Sequence, residues 1–247
     1  MTWLDTAWRS CATSSGTVTK WKGAGPRQYQ ISPLKLSSTA AAFLVVGTRR
    51  YSGRMLTEKE TLKRYLQQAR DALLWKLEGV SERDARWPMT RTGTNLLGIV
   101  KHVASVEIGY FGEVFDRPSG EPLPWLADDA PDNADMGATA DESRQSIIDL
   151  YHRSWAHSDR TIDELPLDAP GLVPWWGPKS RDVTLHRILV HMIAETARHA
   201  GHADVLRELI DGQAGARADN SNLPEHDAAW WADYVATLQR AAEQAAG

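Results

Sequence analysis

Twelve residues near the end of the chain read His-Met-Ile-Ala-Glu-Thr-Ala-Arg-His-Ala-Gly-His (191–202). Four of these side chains can bind a metal ion, at spacings of four, four and three: His191, Glu195, His199 and His202. Because a helical residue advances by about 100°, these steps return to nearly the same side of a helix. Buried imidazoles and carboxylates are costly unless they are paired or bound to an ion. The stretch therefore predicts a bundle helix that contributes one side of a metal site.

The composition of the chain limits its class and its partners. Of the 247 residues, 42% are hydrophobic and 24% are charged, which is ordinary for globular proteins. The formal net charge of −4 gives no general attraction to nucleic acid or to acidic membrane surfaces. The single cysteine, Cys11, excludes an intrachain disulfide framework and a cysteine-rich metal site. No apolar run approaches the roughly 18–20 residues that cross a bilayer. The cysteine usage fits a reducing cytoplasm, and with the charge it leads us to expect a cytoplasmic protein without membrane or nucleic-acid partners.

The first 54 residues differ from the rest of the chain. They are rich in Ser, Thr, Gly and basic residues, and they show no sustained helical period. Met55 then opens a segment with strong helix signals. We therefore expect residues 1–54 to be a disordered leader or an extension upstream of the true start, and residues 55–247 to form the helical domain.

Five segments beyond Met55 place apolar residues at the 3.6-residue period that is typical of helices. Their approximate bounds are Glu58–Leu77, Asn95–Phe115, Thr139–Ile162, Val183–Ile210 and Pro224–Ala242. No segment alternates polar and apolar residues as a strand does, and there is no internal repeat. Four long helices with two longer connections predict an all-α four-helix bundle, with an additional C-terminal helix packed against it.

Local signals predict where these helices begin and end. Two capping boxes and one N-cap mark the first three starts: Thr57 with Glu60, Thr94, and Thr139 with Glu142. Gly212 is expected to end the fourth helix in the left-handed conformation, and Pro224 to lie in the first turn of the last helix. Trp230, Tyr234 and Leu238 recur at helical spacing, so we expect them to pack in that last helix.

A metal site with three protein ligands needs a residue from a second helix. Catalytic zinc sites usually combine three such ligands with one open position. A pair four residues apart on one helix supplies two of them, and Glu195 with His199 has this spacing, as does His191 with Glu195. His102 is the best candidate for the third ligand because it interrupts the apolar side of the second helix. Spacing alone decides neither which residues bind nor which metal.

Less specific interpretations remain open at this point. Glu195 could pair with Arg198 or Lys179, and surface ion pairs contribute little to stability. Trp175 and Trp176 either anchor their loop on the bundle or form the rim of a substrate pocket. Isolated histidines are more often solvated or hydrogen-bonded than metal-bound, which is our interpretation of His152, His157, His186 and His226.

Several separate motifs occur one after another along the chain. They are the segment 91–115, Val-Pro-Trp-Trp-Gly (173–177), Arg-Asp-Val-Thr-Leu (181–185), the segment 195–212, and Asn-Leu-Pro followed by a double tryptophan (222–231). Together they resemble the DinB-like superfamily of helical bundles, in its actinobacterial DUF664 branch. The resemblance covers the chain from about Met55 to its end and leaves out residues 1–54.

The resemblance implies a four-helix bundle, often dimeric, that holds a divalent metal through three residues. His102 matches the histidine of the second helix, and Glu195 and His199 match the pair four residues apart on the last bundle helix. His202 falls where many relatives have another polar residue, which leaves it as a substrate contact or a proton relay. His191 lies one turn too early to match a ligand.

The resemblance also implies a function, a low-molecular-weight thiol S-transferase with mycothiol as co-substrate. Zinc is the first expectation for the metal, and nickel, iron and manganese also suit these ligands. The metal would hold the thiol as its nucleophilic thiolate beside a small electrophile, with Trp175 and Trp176 against the co-substrate and His202 as catalytic residue. The alternatives are a metal-dependent hydrolase or isomerase and a non-catalytic metal-binding stress protein.

Overall fold

The computed structural model describes residues 54–245, and this part of the chain is almost entirely helical. Its α-helices are α1 Glu58–Leu74, α2 Glu82–Arg86, α3 Leu96–Phe111, α4 Arg144–Glu164, α5 Leu185–Asp211 and α6 Ala228–Ala245. Short 3₁₀ helices lie between these α-helices, at Trp75–Leu77, Glu113–Phe115, Pro124–Leu126 and Ala134–Met136. The expectation for residues 1–54 lies outside the described residues, except for Arg54, and stays a prediction.

The four long helices α1, α3, α4 and α5 form the bundle. Helix α3 lies between α4 and α5, and α1 contacts the same two helices from the opposite side. Apolar side chains from all four helices fill two adjoining clusters of buried residues between them. The all-α four-helix bundle predicted from the sequence is therefore confirmed, and it places α3 and α5 side by side.

Helix α3 is the most enclosed element of the described chain. Every residue from Leu96 to Phe111 except Gly109 is buried, because the long connection to α4 covers the side that the other helices leave open. Gly98 permits this cover, since a Cβ at that position would lie 1.9 Å from the carbonyl oxygen of Met136. Polar residues on α3 must consequently find partners inside the protein.

The helix ends follow local hydrogen bonds, and two of the three predicted N-caps are wrong. The capping box of Thr57 and Glu60 is confirmed, and Gly212 ends α5 with a φ of 78°. Helix α3 is capped by Asn95 rather than Thr94, because the Asn95 side chain accepts a hydrogen bond from the amide of Gly98. A side chain one residue later thus replaces the expected cap.

The start of α4 also lies later than predicted. Helix α4 begins at Arg144 with Ser143 as its N-cap, four residues beyond the expected cap at Thr139. The amide of Thr139 does donate to the Glu142 carboxylate at 2.7 Å, but this carboxylate also pairs with Lys101 of α3. The Thr139–Glu142 bond therefore closes a turn against α3 instead of starting the helix.

A small hairpin precedes α5 and was not predicted. Strand β1 (Pro170–Leu172) pairs antiparallel with β2 (Asp182–Thr184), and Gly171 lies opposite Val183. Strands of three residues are too short to show an alternating pattern in the sequence. The hairpin fixes both ends of the loop that carries Trp175 and Trp176.

Helix α6 does not pack as predicted. None of its residues is buried, and Trp230, Tyr234 and Leu238 are 39%, 45% and 53% exposed. Trp230 stacks on Tyr234 instead, with ring centroids 5.2 Å apart. The helix begins after Asp227, whose side chain accepts a hydrogen bond from the Trp230 amide, so Pro224 lies upstream of its first turn. No helix among the described residues is long and apolar enough to span a membrane.

Candidate metal centre

Three ligand-type side chains meet where α3 lies beside α5. His102 comes from α3, and Glu195 and His199 lie one turn apart on α5. One ligand atom from each of these residues falls within 4.8 Å of the other two. We refer to His102, Glu195 and His199 as the His–Glu–His cluster. Its members are the residues that the sequence suggested as a metal-binding set.

Within the cluster the Glu195 carboxylate lies between the two imidazoles. Its Oε1 atom is 3.0 Å from Nε2 of His199 and 3.9 Å from Nε2 of His102. The two rings meet edge to face with centroids 4.8 Å apart. Both histidines are buried and Glu195 is nearly so, which removes the three groups from most of the competing water.

A fourth residue orients His102 from the long connection between α3 and α4. Nδ1 of His102 lies 2.6 Å from Oδ2 of the buried Asp135. An Nδ1–H bond to a carboxylate orients the ring and, once Nε2 loses its proton, fixes the tautomer in which Nε2 carries the lone pair that a metal would bind. Sequence reasoning missed Asp135, because it lies in a 3₁₀ turn within an acidic loop that has no periodic pattern.

The cluster is strongly charged in the absence of a metal. Burial alone would lower the pKa of His102, but hydrogen bonds to Asp135 and Glu195 and their negative charges raise it to about 9. Hydrogen bonds from His102 and His199 hold the pKa of Glu195 far below its usual range, against the opposing effect of burial. Near neutral pH the cluster therefore holds a proton on His102 beside an ionised carboxylate.

The chemistry of these donors fits a divalent metal ion. Two imidazole nitrogens and one carboxylate oxygen are ligands that zinc and neighbouring transition metals accept, and three protein ligands are the usual number in an open site. Nδ1 of His199 is buried without a hydrogen-bond partner, so Glu195 is the one hydrogen-bond partner of this ring among residues 54–245. Asp135 supplies the supporting carboxylate that metal-binding histidines commonly have.

The two outer histidines of the α5 stripe have different surroundings. His202 is exposed, and its ring centroid lies 5.4 Å from that of His199. Burial and then the charges of His199 and Arg198 lower the pKa of His202. His191 is not part of the His–Glu–His cluster, and its ring lies against Tyr110 at a centroid distance of 4.7 Å.

Trp175 and Trp176 are anchored to the bundle through Tyr110. Their indole Nε1–H groups donate to the Tyr110 hydroxyl oxygen at 3.3 Å and 3.0 Å. Burial raises the pKa of Tyr110, and the charge of Glu195 adds to this effect while the indole hydrogen bonds oppose it. The hydrogen bonds to Tyr110 therefore support the interpretation of both tryptophans as loop anchors.

The structure agrees with some of the remaining sequence interpretations and not with others. Within the described residues the partners of Glu195 are histidines, and neither Arg198 nor Lys179 forms an ion pair with it. Three of the isolated histidines are exposed and contact neighbouring side chains, as the sequence interpretation expects. They are His152 against Trp155, His186 with Glu58, and His226 stacked on Trp230. His157 is buried rather than solvated, its Nε2 atom has no hydrogen-bond partner, and it belongs to no group of metal-ligand residues in the range 54–245.

A second set of buried charges also includes a residue of α3. Arg70 of α1 and Glu107 of α3 are fully buried and form a two-point ion pair, with Nη2 2.5 Å from Oε1 and Nε 3.3 Å from Oε2. Nη1 of Arg70 also donates to Asp159 of α4 at 2.9 Å. We refer to Arg70, Glu107 and Asp159 as the Arg–Glu–Asp cluster, which ties three helices of the bundle together.

The fold and the His–Glu–His cluster define the class of the protein, a DinB-like helical bundle with ligand-type residues on two adjacent helices. The family model described as Mycothiol-S-transferase matches residues 61–212, more than half of the chain, and the chain belongs to this family.

Comparison with solved structures supports the fold alone. The chain is similar to a protein described as the conserved protein of a locus from Enterococcus faecalis, with a TM-score of 0.51 and 18% sequence identity. The similarity covers 64% of this chain and 100% of that one. No curated protein matches the sequence.

Proposed function

We propose that the protein is a divalent-metal-dependent S-transferase that joins mycothiol to small electrophilic molecules. One observation carries the proposal: ligand atoms of His102, Glu195 and His199 lie within 4.8 Å of one another in a chain of the Mycothiol-S-transferase family. Family membership supports the thiol, and the cluster supports the metal.

The His–Glu–His cluster would hold the metal, with zinc as the first ion to test. Nickel, iron and manganese also accept imidazole and carboxylate ligands. A bound divalent metal would supply a Lewis acid that favours the ionised form of a thiol, as it favours ionised water. Three protein ligands would leave a position open to a small molecule.

The nucleophilic sulfur comes from the co-substrate in this proposal. The chain has one cysteine, Cys11, and none between residues 54 and 245. A thiolate is far more nucleophilic than a thiol, so a protein that conjugates thiols must remove a proton from its co-substrate.

The protein side chains have three tasks in this chemistry. Asp135 orients His102 through Nδ1, and Glu195 stays ionised because its pKa is held low. His202 is the residue that we propose as acceptor of the thiol proton. It is exposed next to His199, and its lowered pKa keeps the ring neutral near pH 7.

The loop after β1 would form the binding surface for the co-substrate. Trp175 and Trp176 have their N–H groups engaged by Tyr110, so their rings are held in place rather than free to turn. A fixed aromatic surface loses little conformational entropy when a ligand packs on it. We propose that both tryptophans contact the mycothiol or the bound electrophile.

The proposal also covers the partners, the location and the assembly of the protein. The proposed partners are a small thiol and a small electrophile. The negative net charge argues against nucleic acid as a partner. We propose a cytoplasmic location, and a homodimer on the basis of the family resemblance. Light scattering of the full-length protein at several concentrations tests the assembly.

The test is a conjugation assay with a fluorogenic electrophile and mycothiol. We expect turnover by the metal-loaded full chain, loss of turnover after chelation, and recovery when zinc is restored. His199→Ala should abolish turnover, and His152→Ala, which removes an exposed histidine of α4, should leave it unchanged. Glutathione in place of mycothiol measures how selective the protein is for its thiol.

The same assay separates the alternatives. Metal-dependent turnover of ester or amide substrates without any thiol would favour a hydrolase. Bound metal with no turnover of any substrate would favour a non-catalytic metal-binding protein. Absence of activity with mycothiol, together with no effect of His199→Ala on any activity found, would refute the proposed function.

A further inference from the structure

A cavity of about 310 Å³ lies at the far end of α3, between the chain that follows this helix and the last turns of α4. Arg117 and Pro118 line it from the α3 side, and His157, Arg160 and Thr161 line it from α4. This volume is at the lower end of the range for small-molecule pockets. The cavity is therefore large enough for a small molecule and too small for a macromolecule.

Positive charge dominates the lining of this cavity. Two of the five lining residues are arginines, and none is acidic. Arg117 forms an ion pair with the exposed Glu164, which does not line the cavity. Arg160 forms no ion pair with any residue in the range 54–245. One guanidinium at the cavity thus has no counter-charge in the described part of the chain.

Two buried polar atoms beside the cavity lack hydrogen-bond partners. They are Nε2 of His157 and Oγ1 of Thr161, and their side chains are 8% and 0% exposed. The two residues are four apart on α4, which places them on the same side of the helix. Buried polar atoms in native proteins nearly always have a hydrogen-bond partner, so two neighbouring atoms without one need an explanation.

The charges around His157 favour its neutral form. Burial lowers the pKa of His157, the positive charges of Arg160 and Arg117 lower it further, and the backbone of Arg117 opposes this in part. A neutral imidazole carries one N–H donor. Gly112 keeps space in front of this ring, because a Cβ there would lie 3.2 Å from Nε2 of His157.

The cavity is separate from the His–Glu–His cluster. Gly112 follows His102 by ten residues, which corresponds to about 15 Å along a helix. The cavity is built from α4 and the segment after α3, whereas the cluster is built from α3 and α5. A ligand in the cavity would therefore not contact the proposed metal ligands.

We propose that this cavity binds a small oxyanion, the phosphate or carboxylate group of a small molecule. The guanidinium groups of Arg117 and Arg160 match the planar geometry of such groups and supply the opposite charge. His157 and Thr161 donate hydrogen bonds from atoms that are otherwise without partners. This binding function goes beyond the thiol transfer and does not depend on it.

The test measures phosphate binding by the metal-loaded full chain at constant ionic strength. In equilibrium dialysis with labelled inorganic phosphate, we expect saturable binding at one site per chain. Arg160→Gln and Thr161→Val should each weaken it by about tenfold or more, since hydrogen bonds to charged groups contribute about 1.5–3 kcal/mol. Arg64→Gln is the matched control, because Arg64 is an exposed arginine of α1 outside the cavity.

Three further measurements keep the result unambiguous. Thr161→Val should unfold at the same temperature as the wild type or higher without phosphate, because it removes an unpartnered hydroxyl; a loss of binding is then not a loss of folding. His199→Ala should retain phosphate binding, which excludes phosphate held by a metal. A titration with succinate covers the carboxylate class. The proposal is overturned if neither anion binds saturably, or if Arg160→Gln and Thr161→Val bind as tightly as Arg64→Gln.

Discussion

The His–Glu–His cluster and the Arg–Glu–Asp cluster are both built on α3 and bury charged or chargeable groups, yet they differ in one respect. The Arg–Glu–Asp cluster contains its own cation, because the Arg70 guanidinium binds the carboxylates of Glu107 and Asp159. The His–Glu–His cluster contains two imidazoles and a carboxylate, and it acquires a cation by taking up a proton or, as we propose, a metal ion.

This difference separates a structural cluster from a candidate ligand site. In the Arg–Glu–Asp cluster, donors and acceptors pair with one another across three helices. In the His–Glu–His cluster, three lone-pair donors converge, and Asp135 fixes one ring from outside. Burial of charge by itself is not evidence of a ligand site. Convergence of several ligand atoms that have no arginine or lysine among them is such evidence.

The largest expected effect on stability comes from breaking the Arg–Glu–Asp cluster. Arg70→Met leaves Glu107 buried without its partner, and we expect a loss of about 3–5 kcal/mol in the free energy of unfolding. Urea denaturation measures the loss. The metal content of the folded fraction should not change, because Arg70 does not contact the His–Glu–His cluster.

The matched control removes both charges. The double variant Arg70→Met, Glu107→Leu should recover most of the lost stability, since a well-packed apolar pair often replaces a buried ion pair at little cost. If the single variant is as stable as the wild type, the pair does not contribute as we describe.

Next in size is the loss of one proposed metal ligand. His199→Ala should weaken metal binding by more than about 100-fold, beyond the effect of changing a residue that only orients a ligand. Competition with a chromophoric chelator measures the affinity. The metal-free variant should lose less stability than Arg70→Met does, because no charge is left buried without a partner. Metal affinity equal to that of His152→Ala would contradict the assignment.

A smaller effect is expected from the residue that orients His102. Asp135→Asn keeps the shape of the side chain but removes the charge, and we expect metal affinity to fall by about 10–100-fold. Asp132→Asn changes an exposed carboxylate of the same loop and should leave the affinity unchanged. Equal affinities for the two variants would show that Asp135 does not support the site.

The smallest effect, taken per pH unit, is a pH dependence of opposite sign for two quantities: the stability of the metal-free protein falls as the pH rises, and the affinity for metal increases. The pKa of His102 rises from 6.5 to about 9 on folding without metal, so its stabilising contribution is complete below pH 6.5 and is lost as the pH rises through 9. Metal must displace this proton, so metal affinity should increase roughly tenfold per pH unit up to about pH 9.

Urea denaturation at pH 6.5 and pH 9, with chelator or with excess zinc, checks both signs. The contribution of His102 should make the metal-free protein less stable at the higher pH, and zinc should stabilise the protein more there than at pH 6.5. Stabilisation by zinc that does not change with pH would contradict the role of His102.

The sequence predicted those features that follow from helical periodicity. The i, i+4 spacing of Glu195 and His199 and the position of His102 on an apolar helix indicated side chains that the bundle does bring together. Periodicity also predicted the four bundle helices, because each carries an apolar stripe over many turns.

Features that depend on contacts between distant segments could not be predicted. Asp135 reaches His102 only because Gly98 lets the 3₁₀ turn approach α3. Glu142 has the spacing of a capping box, but its carboxylate also binds Lys101, a residue 41 positions away. The exposed position of α6 was missed for the same reason, since its apolar residues indicate a helix but not what that helix contacts.

The central claim is that His102, Glu195 and His199 hold a metal ion with one position open to a thiol. The absorption spectrum of the protein loaded with Co(II) tests it most directly, because a thiolate that binds cobalt gives a charge-transfer band. We predict that mycothiol produces this band in the wild type and not in His199→Ala. Cobalt that binds tightly to the wild type but shows no band at saturating mycothiol would contradict the account.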